Sequence, residues 1–231
     1  MKTSEQAKIW EKNLDRKAAK VRAERVLTQI KKYNPSAKKV LELGVGLGAV
    51  LVHFKRFEVS GLDLQKEYTQ IAKKLVPKGK FYVQSMDKLH INDKFDVIFS
   101  VHECINEVKP YKNWEEVFAK SKNHLNKNGL FIFDMRTFEY LKNKKKEIVK
   151  LEKTPTGFMY DNTIIEGNKL IWDTTIFEKL KNGNYKIDND KYFEEVYDVE
   201  KIKKSLNKYF KVLETKYFDN KQKLIFTCIK K

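Results

Sequence analysis

The 231-residue sequence predicts an α/β protein with a doubly wound, mostly parallel sheet of seven strands and an antiparallel β insert after strand five. Three observations lead to this prediction. Short apolar segments alternate with helical segments up to Asp134, as in parallel strands joined by right-handed crossovers. Segments such as Phe95–Phe99 are almost continuously apolar, as in strands covered on both faces. Beyond Asp134 apolar and polar residues alternate, which favours antiparallel hairpins.

Each element follows from its own pattern of apolar residues and turn signals. The strands of the main sheet are predicted at 39–43, 57–62, 80–84, 95–100, 129–134, 211–217 and 223–229. Helices are predicted at 5–33, 50–55, 65–75, 114–125, 137–150 and 199–206. The insert should contain strands 158–165, 169–180 and 185–196, separated by turns at Gly167-Asn168 and Asn182-Gly183-Asn184. We expect an N-terminal helical segment (1–36), a core of alternating strands and helices (37–150), the insert (151–197) and a C-terminal helix with closing strands (198–231).

The net charge of +17 raises the question of a nucleic-acid partner. Only five of the 48 basic residues are arginines, the residue favoured for bidentate contacts with phosphates and bases. The lysines are spread along the chain among acidic residues. We therefore interpret the charge as a solvated surface and expect no specific nucleic-acid partner, keeping Lys142–Lys146 as the one suspicious cluster.

Cellular location and redox state are predicted from what the chain contains. Its apolar runs are far shorter than the roughly 18 residues of a membrane span, and no apolar segment follows the basic N-terminus as in a signal peptide. Cys104 and Cys228 have neither CxxC nor zinc spacing. We expect a cytoplasmic protein with two buried free thiols, no membrane partner and no metal site.

A glycine-rich segment, Glu42-Leu43-Gly44-Val45-Gly46-Leu47-Gly48, follows the first predicted strand. Glycines allow unusual backbone angles there and let a ligand approach the main chain. Asp63 ends the second strand, where a carboxylate can accept both hydroxyls of a ribose. Gly44, Gly46 and Ala49 also satisfy the dinucleotide pattern GxGxxG/A, which keeps NAD open. The third glycine of the segment and the long helix before the first strand argue against NAD.

From about Val40 to Asp134 the chain resembles the class I S-adenosylmethionine-dependent methyltransferases. The resemblance implies a seven-stranded Rossmann-like methyltransferase sheet, the cofactor S-adenosyl-L-methionine and the product S-adenosyl-L-homocysteine. In this family the acid before the glycines holds the methionine end, and the acid ending strand two holds the ribose. The segment Ser85-Met86-Asp87 would flank the adenine, with Met86 on its ring and either Ser85 or Asp87 at its amine. The implied cofactor-binding residues are Glu42, Gly44, Gly46, Gly48, Asp63, Leu64, Ser85, Met86, Asp87 and Ser100.

A narrower resemblance concerns the acceptor. Asp96–Val108, Phe133–Thr137 and Tyr192–Tyr197 are similar to segments of small-molecule methyltransferases that act on amines, including sugar N-methyltransferases. This implies methyl transfer to a small molecule, at an amine nitrogen. His102 is the predicted general base with Glu103 behind it, while a second possibility, that His102 only lines the cleft, stays open. The residues predicted to bind the acceptor are Asn106, Arg136, Tyr160, Trp172 and Tyr197, and we expect the insert to roof the methyl-donor end of the cleft.

Three other classes of function compete with this prediction. An RNA methyltransferase would fit the charge, but the chain has no Asn/Asp-Pro-Pro-aromatic motif after strand four, no Pro-Cys nucleophile and no appended RNA-binding module. A non-catalytic S-adenosylmethionine-binding protein is disfavoured by the intact glycines and Asp63. An NAD-linked oxidoreductase is a more distant alternative.

Overall fold

The structure, a computed structural model, describes residues 3–142 and 146–231. Its helices are α1 (Ser4–Lys12), α2 (Arg16–Tyr33), α3 (Lys66–Leu75), α4 (Tyr111–His124), α5 (Phe138–Leu141) and α6 (Val199–Leu206). Its first five strands are β1 (Lys39–Leu43), β2 (Glu58–Asp63), β3 (Lys80–Val83), β4 (Phe95–Ser100) and β5 (Leu125–Arg136). The later strands are β6 (Glu147–Thr154), β7 (Gly157–Glu166), β8 (Lys169–Lys179), β9 (Tyr185–Glu195), β10 (Phe210–Phe218) and β11 (Lys223–Lys230). Short 3₁₀ turns occupy Leu51–His53, Met86–Lys88 and Cys104–Glu107.

The main sheet has seven strands in the order β10-β11-β5-β4-β1-β2-β3. The β1–β2, β2–β3, β1–β4 and β4–β5 pairs are parallel, whereas β11 pairs antiparallel with both β5 and β10. The predicted fold class is therefore confirmed, including the closing pair of strands. Because the parallel strands end at one edge of the sheet, the segments after β1, β2, β4 and β5 meet there.

Both faces of the main sheet are covered, as the apolar strands predicted. Successive residues of β4 alternate between two cores: Ile98 packs on the face covered by α4, while Val97 and Phe99 pack on the face covered by α2. Trp114 of α4 is fully buried in the first core. Among the described helices, none is long and apolar enough to cross a membrane.

Two predicted helices differ in the structure. The helix predicted at 5–33 is broken at residues 13–15, where the Asp15 side chain accepts the Ala18 N–H at 2.9 Å and caps α2. This break frees α1 to take a different direction from α2. The helix predicted at 50–55 is reduced to the 3₁₀ turn Leu51–His53.

The helix predicted at 137–150 is wrong over most of its length. Only α5 is helical, and β6 then pairs with β7 from Glu147↔Ile164 to Thr154↔Gly157. A lysine- and glutamate-rich sequence suits a helix locally, but pairing with a neighbouring strand overrides this weak preference. Of the basic cluster Lys142–Lys146, residues 143–145 lie outside the described residues.

The β insert forms a separate antiparallel sheet in the order β6-β7-β8-β9. Its strand β9 lies over the edge where the parallel strands end, since Arg136 at the end of β5 donates to Glu194 at 2.6 Å. Asn106, in the turn after β4, likewise donates to the Glu195 carbonyl at 2.8 Å. The insert therefore covers the C-terminal edge of the main sheet.

Helix α1 bridges the two sheets. Its buried Ala7 packs with Leu47 of the glycine loop and Ile71 of α3. On its other side Gln6 and Trp10 both donate to the Asp188 carboxylate of β9, at 2.7 and 2.5 Å. The cleft between the sheets is therefore bounded by the strand ends, the insert and α1.

We predict that Trp10→Phe loosens α1 without unfolding the core. The change keeps an aromatic ring but removes the indole N–H that donates to Asp188, a charged hydrogen bond worth about 1.5–3 kcal/mol. Hydrogen exchange should become faster for the amides of α1, while those of α2 in the same molecule serve as the internal control. Unchanged exchange in α1 would show that this hydrogen bond does not hold the helix.

Candidate cofactor and acceptor site

The glycine loop after β1 needs three glycines for its backbone. Gly44, Gly46 and Gly48 have φ angles of 74°, 51° and 83°, in the left-handed region. A Cβ at Gly44 would lie 3.1 Å from the Cys104 Sγ, so this position is also tightly packed. A Cβ at Gly46 would meet no atom within 4 Å. The open space above Gly46 is where a ligand can approach the main chain.

Asp63 at the end of β2 joins the glycine loop to the next helix. One carboxylate oxygen accepts the Gly46 N–H at 2.8 Å and the other accepts the Gln65 N–H at 2.9 Å. Burial raises the pKa of Asp63, and these backbone N–H groups oppose the rise. Each oxygen keeps a lone pair, so the carboxylate can accept two hydroxyls of a ribose.

Two buried polar groups beside the loop have no hydrogen-bond partner among the described residues. They are one carboxylate oxygen of Glu42, which is 2% exposed, and the fully buried hydroxyl of Ser100. Burial, with the nearby carboxylates of Asp63 and Asp134, raises the pKa of Glu42, and the positive charge of Arg22 opposes it. A buried acceptor without a donor costs about 1–3 kcal/mol. A cationic donor such as the amine of a methionine moiety would satisfy Glu42.

The segment after β3 borders the same loop. A Cβ at Gly44 would lie 3.4 Å from the Met86 methyl group, so Met86 stands directly beside the glycines. The Ser85 hydroxyl is hydrogen-bonded to the Asp87 carboxylate, and Leu64 is 64% exposed. This gives one flexible apolar side chain and one polar pair at the predicted adenine position.

The turn after β4 is strained. His102 and Glu103 are consecutive non-glycine residues with φ angles of 67° and 55°, which residues with a Cβ seldom adopt. Asp134 of β5, 2% exposed, accepts the Glu103 N–H at 2.8 Å and holds this turn. Burial, together with the charge of Glu103, raises the pKa of Asp134 to about 7. Such strain often occurs at functional sites.

The side chain of Glu103 does not act as a free base. Arg136 donates to it at 3.2 Å and Lys223 contacts it at 2.9 Å. These cations hold the pKa of Glu103 below its usual value despite its burial. Arg136 also donates to Glu194 at 2.6 Å, so its guanidinium is held between two carboxylates. Glu103, predicted for catalysis, and Arg136, predicted for acceptor binding, thus hold the two sheets together in the structure.

Asn106 has the same bracing role. Its amide NH₂ donates to the Glu195 carbonyl at 2.8 Å and its amide oxygen accepts the Arg136 N–H at 2.9 Å. The side chain is fully buried and both ends are occupied by backbone. The structure therefore does not offer Asn106 to an acceptor.

Strand alternation separates the three predicted aromatic residues. Tyr160 pairs with Thr175, on the opposite face of β8 from Trp172, and is 36% exposed on the outer surface of the insert. Tyr197 packs against Tyr111 and Trp114, and its hydroxyl donates to Glu195. Neither tyrosine is brought to the cleft: Tyr160 lies on the outer face of the insert, and Tyr197, which follows β9, packs against α4.

Trp172 lies on the cleft side. It stacks on Tyr192 at a centroid distance of 5.8 Å, and its buried indole nitrogen has no hydrogen-bond partner among the described residues. Asp188 and Glu194 of β9 both contact the main body of the protein, so alternation puts Asp190 and Tyr192 between them on the same face. These two residues were not predicted from the sequence, because strand register decides which face meets the cleft.

His102 is an exposed residue of the strained turn. Protein surrounds the ring closely enough that burial, followed by the charge of Arg22, lowers its pKa to about 4. The imidazole is therefore neutral at neutral pH but a weak base. Within residues 3–142 and 146–231 no group of three or more His, Cys, Asp or Glu side chains is arranged to hold a metal ion.

Comparison with known proteins agrees with this geometry. Residues 40–129 match the family model described as a methyltransferase domain. A similar solved structure is an S-adenosylmethionine-dependent methyltransferase from Clostridium acetobutylicum, with TM-score 0.83, 20% identity and 96% of each chain covered. No curated protein sequence matches the chain significantly. Residues 40–129 therefore match a methyltransferase domain, and the chain has the fold of the S-adenosylmethionine-dependent methyltransferase to which it is similar.

Two further solved structures resemble it across the insert as well as the core. One is an amino pentose methyltransferase from Micromonospora echinaspora with S-adenosylmethionine bound, at TM-score 0.77 and 16% identity, covering 90% of each chain. The other is a sugar N-methyltransferase from a Streptoalloteichus species, at TM-score 0.77 and 13% identity, covering 91% of this chain and 87% of that one. These likenesses confirm the fold, and the predicted cofactor S-adenosylmethionine fits the open space at Gly46 and the unpartnered oxygen of Glu42.

We predict that Gly46→Ala weakens S-adenosylhomocysteine binding far more than Gly167→Ala does. Both glycines have positive φ and would place a Cβ in open space, so both changes cost similar backbone strain of about 1 kcal/mol. Gly167 lies in the turn between β7 and β8, outside the glycine loop, and the next residue, Asn168, is hydrogen-bonded to Val196. Calorimetry on both variants separates strain from lost ligand space, and equal affinities would remove Gly46 from the binding site.

We predict that Arg136→Ala lowers the free energy of unfolding by about 3–5 kcal/mol, because Glu103 and Glu194 lose the cation that both of them contact. Urea denaturation measures the change. The control is Lys12→Ala, which removes an exposed partner of Glu178 and should change stability much less. Similar losses in the two variants would contradict the bracing role.

Proposed function

We propose that the protein transfers the methyl group of S-adenosylmethionine to an amine nitrogen of a small molecule. The observation that carries the proposal is the negative charge in the cleft of a protein whose net charge is +17. Burial and the carboxylates of Asp190, Asp63, Asp188 and Glu107 raise the pKa of the Tyr68 phenol. A local negative potential attracts an ammonium group and disfavours the phosphates of RNA.

The shape of the cleft supports a small acceptor. Helix α1 is tied to both sheets, and the insert covers the strand ends. Trp172 and Tyr192 form an aromatic wall on the inner side of the insert, which suits a compact cation or the apolar face of a sugar ring. The amino pentose and sugar N-methyltransferases of similar fold act on acceptors of this kind, as their names state.

Methyl transfer requires few catalytic groups from the protein. When bound, the cofactor supplies a methyl group on a sulfonium, which is already activated for transfer. Glu42, Asp63 and the glycine loop are the residues that would hold it. The protein must then align the nitrogen, exclude water and accept a proton. A neutral His102 can line the cleft and accept a hydrogen bond, but its lowered pKa makes it a poor general base.

The test is transfer of a radiolabelled methyl group to three pools: primary amines that include amino sugars, the matching alcohols, and total RNA. We expect label in the amine pool and none in the other two above background. The Gly46→Ala variant, tested in parallel, controls for transfer that does not depend on the site. Label confined to RNA would indicate that the lysine-rich surface binds RNA and would overturn the proposal. Label in alcohols alone would exclude an amine acceptor.

A further inference from the structure

Glu107 and Glu42 are the cleft carboxylates for which the described residues provide neither a hydrogen bond nor an ion pair, and Glu42 lies at the methionine end of the cofactor site. The other acids there are engaged: Glu103 and Glu194 contact Arg136, Asp188 accepts from Trp10, and Asp63 accepts two backbone N–H groups. Asp190 also interacts with a neighbouring group. Glu107 ends the Cys104–Glu107 turn, and its side chain is solvent-accessible.

The position of Glu107 follows from the turn that carries it. Cys104, at the start of the turn, lies against Gly44, where its Sγ approaches the Gly44 carbonyl at 3.8 Å. Asn106, next to Glu107, is fixed to β5 and β9 by both ends of its amide. Glu107 is therefore held between the methionine end of the cofactor site and the inner face of the insert.

The groups that face Glu107 come from every wall of the cleft. Asp63 ends β2, Tyr68 lies on α3 and Cys104 belongs to its own turn, while β9 contributes Asp190, Tyr192 and Glu194. The strongest influence is burial among surrounding protein, followed by the charges of Glu194, Asp63 and Asp190, and together they raise the pKa of Glu107 to about 8. No cation among the described residues compensates this carboxylate.

We propose that Glu107 binds the protonated amine of the acceptor and takes up its proton before methyl transfer. This inference rests on the proposed function. A second observation points to a ligand at the same place: the indole N–H of Trp172, on the wall beside Tyr192, is buried without an acceptor. An acceptor that carries an ammonium group and a hydroxyl or ether oxygen, as an amino sugar does, satisfies both groups.

The proton and electron balance is complete without another reactant. The ammonium gives one proton to the Glu107 carboxylate and becomes a neutral amine. The nitrogen lone pair then forms the N–C bond to the methyl group as the S–C bond breaks, and that electron pair stays on sulfur as a neutral thioether. The product leaves as a methylammonium ion, and Glu107 returns its proton to solvent, which it reaches directly.

Binding of sinefungin tests the inference without knowledge of the natural acceptor. In sinefungin a carbon bearing an ammonium group replaces the methylated sulfur, so its charge lies at the methyl-donor position, whereas S-adenosylhomocysteine has no charge there. At about pH 8.5, where Glu107 is ionised, we expect Glu107→Gln to weaken sinefungin by about tenfold or more, since a charge attraction in the cleft is lost. S-adenosylhomocysteine affinity should stay at the wild-type value. Glu58→Gln, at the opposite edge of the sheet, is the matched control.

The pH dependence gives a second measurement. Below about pH 8 Glu107 holds a proton in the free protein, which binding of a cation must displace, so sinefungin affinity should rise from pH 6 to pH 8. This rise should vanish in Glu107→Gln. Equal loss of sinefungin and S-adenosylhomocysteine affinity would indicate a structural role and overturn the inference, as would unchanged affinity for both.

Turnover separates this inference from the proposed function. If amines are methylated, Glu107→Gln should lower kcat/KM for them and abolish its fall toward acid pH; full activity in the variant overturns the role of Glu107. If the wild-type protein methylates only RNA or alcohols, the proposed function fails. The role of Glu107 in deprotonating an amine then fails with it, whatever sinefungin shows.

Discussion

The buried guanidinium of Arg136 is the contact on which the arrangement of the cleft depends. It lies at the end of β5 between Glu103, in the turn after β4, and Glu194 of the insert. Taking charges out of water is costly, and an ion pair at this depth is tolerated because each charge has a partner with good geometry. Its structural result is that the insert cannot shift over the strand ends without leaving a buried charge unpaired.

The same network explains how the strained turn after β4 persists. Left-handed angles at His102 and Glu103 are unfavourable for residues with a Cβ. Asp134 accepts the Glu103 N–H from below, and Arg136 and Lys223 hold the Glu103 carboxylate. The turn therefore places His102 at the cleft. Asn106, three residues after Glu103, is hydrogen-bonded to β5 and β9 and so fixes the position of Glu107, the next residue. Within this short segment Glu103 and Asn106 stabilise the structure, whereas Glu107 is the residue that we propose contacts the acceptor.

Charge is distributed unevenly between the surface and the cleft. The lysines that give the net charge of +17 are spread along the chain, whereas the walls of the cleft carry mainly carboxylates. Charged groups at an exposed surface are screened by solvent and salt, but those in a recess bounded by protein act at short range with less screening. The net charge of the protein is therefore a poor guide to the charge of the methyl acceptor, and the electrostatic potential in the cleft is a better one.

The main sheet and the cofactor loop could be predicted from the amino-acid sequence, because both depend on local patterns. These patterns are continuous apolar strands, three glycines and an acid at a strand end, and each can be recognised within a few residues of sequence. The acceptor side depends on contacts between distant segments, and these contacts exist only in the folded chain. Strand register turned Tyr160 to the outside and Tyr192 to the cleft. Pairing across the fold converted Asn106 and Arg136 from expected ligand contacts into braces, and left Glu107 without a compensating cation.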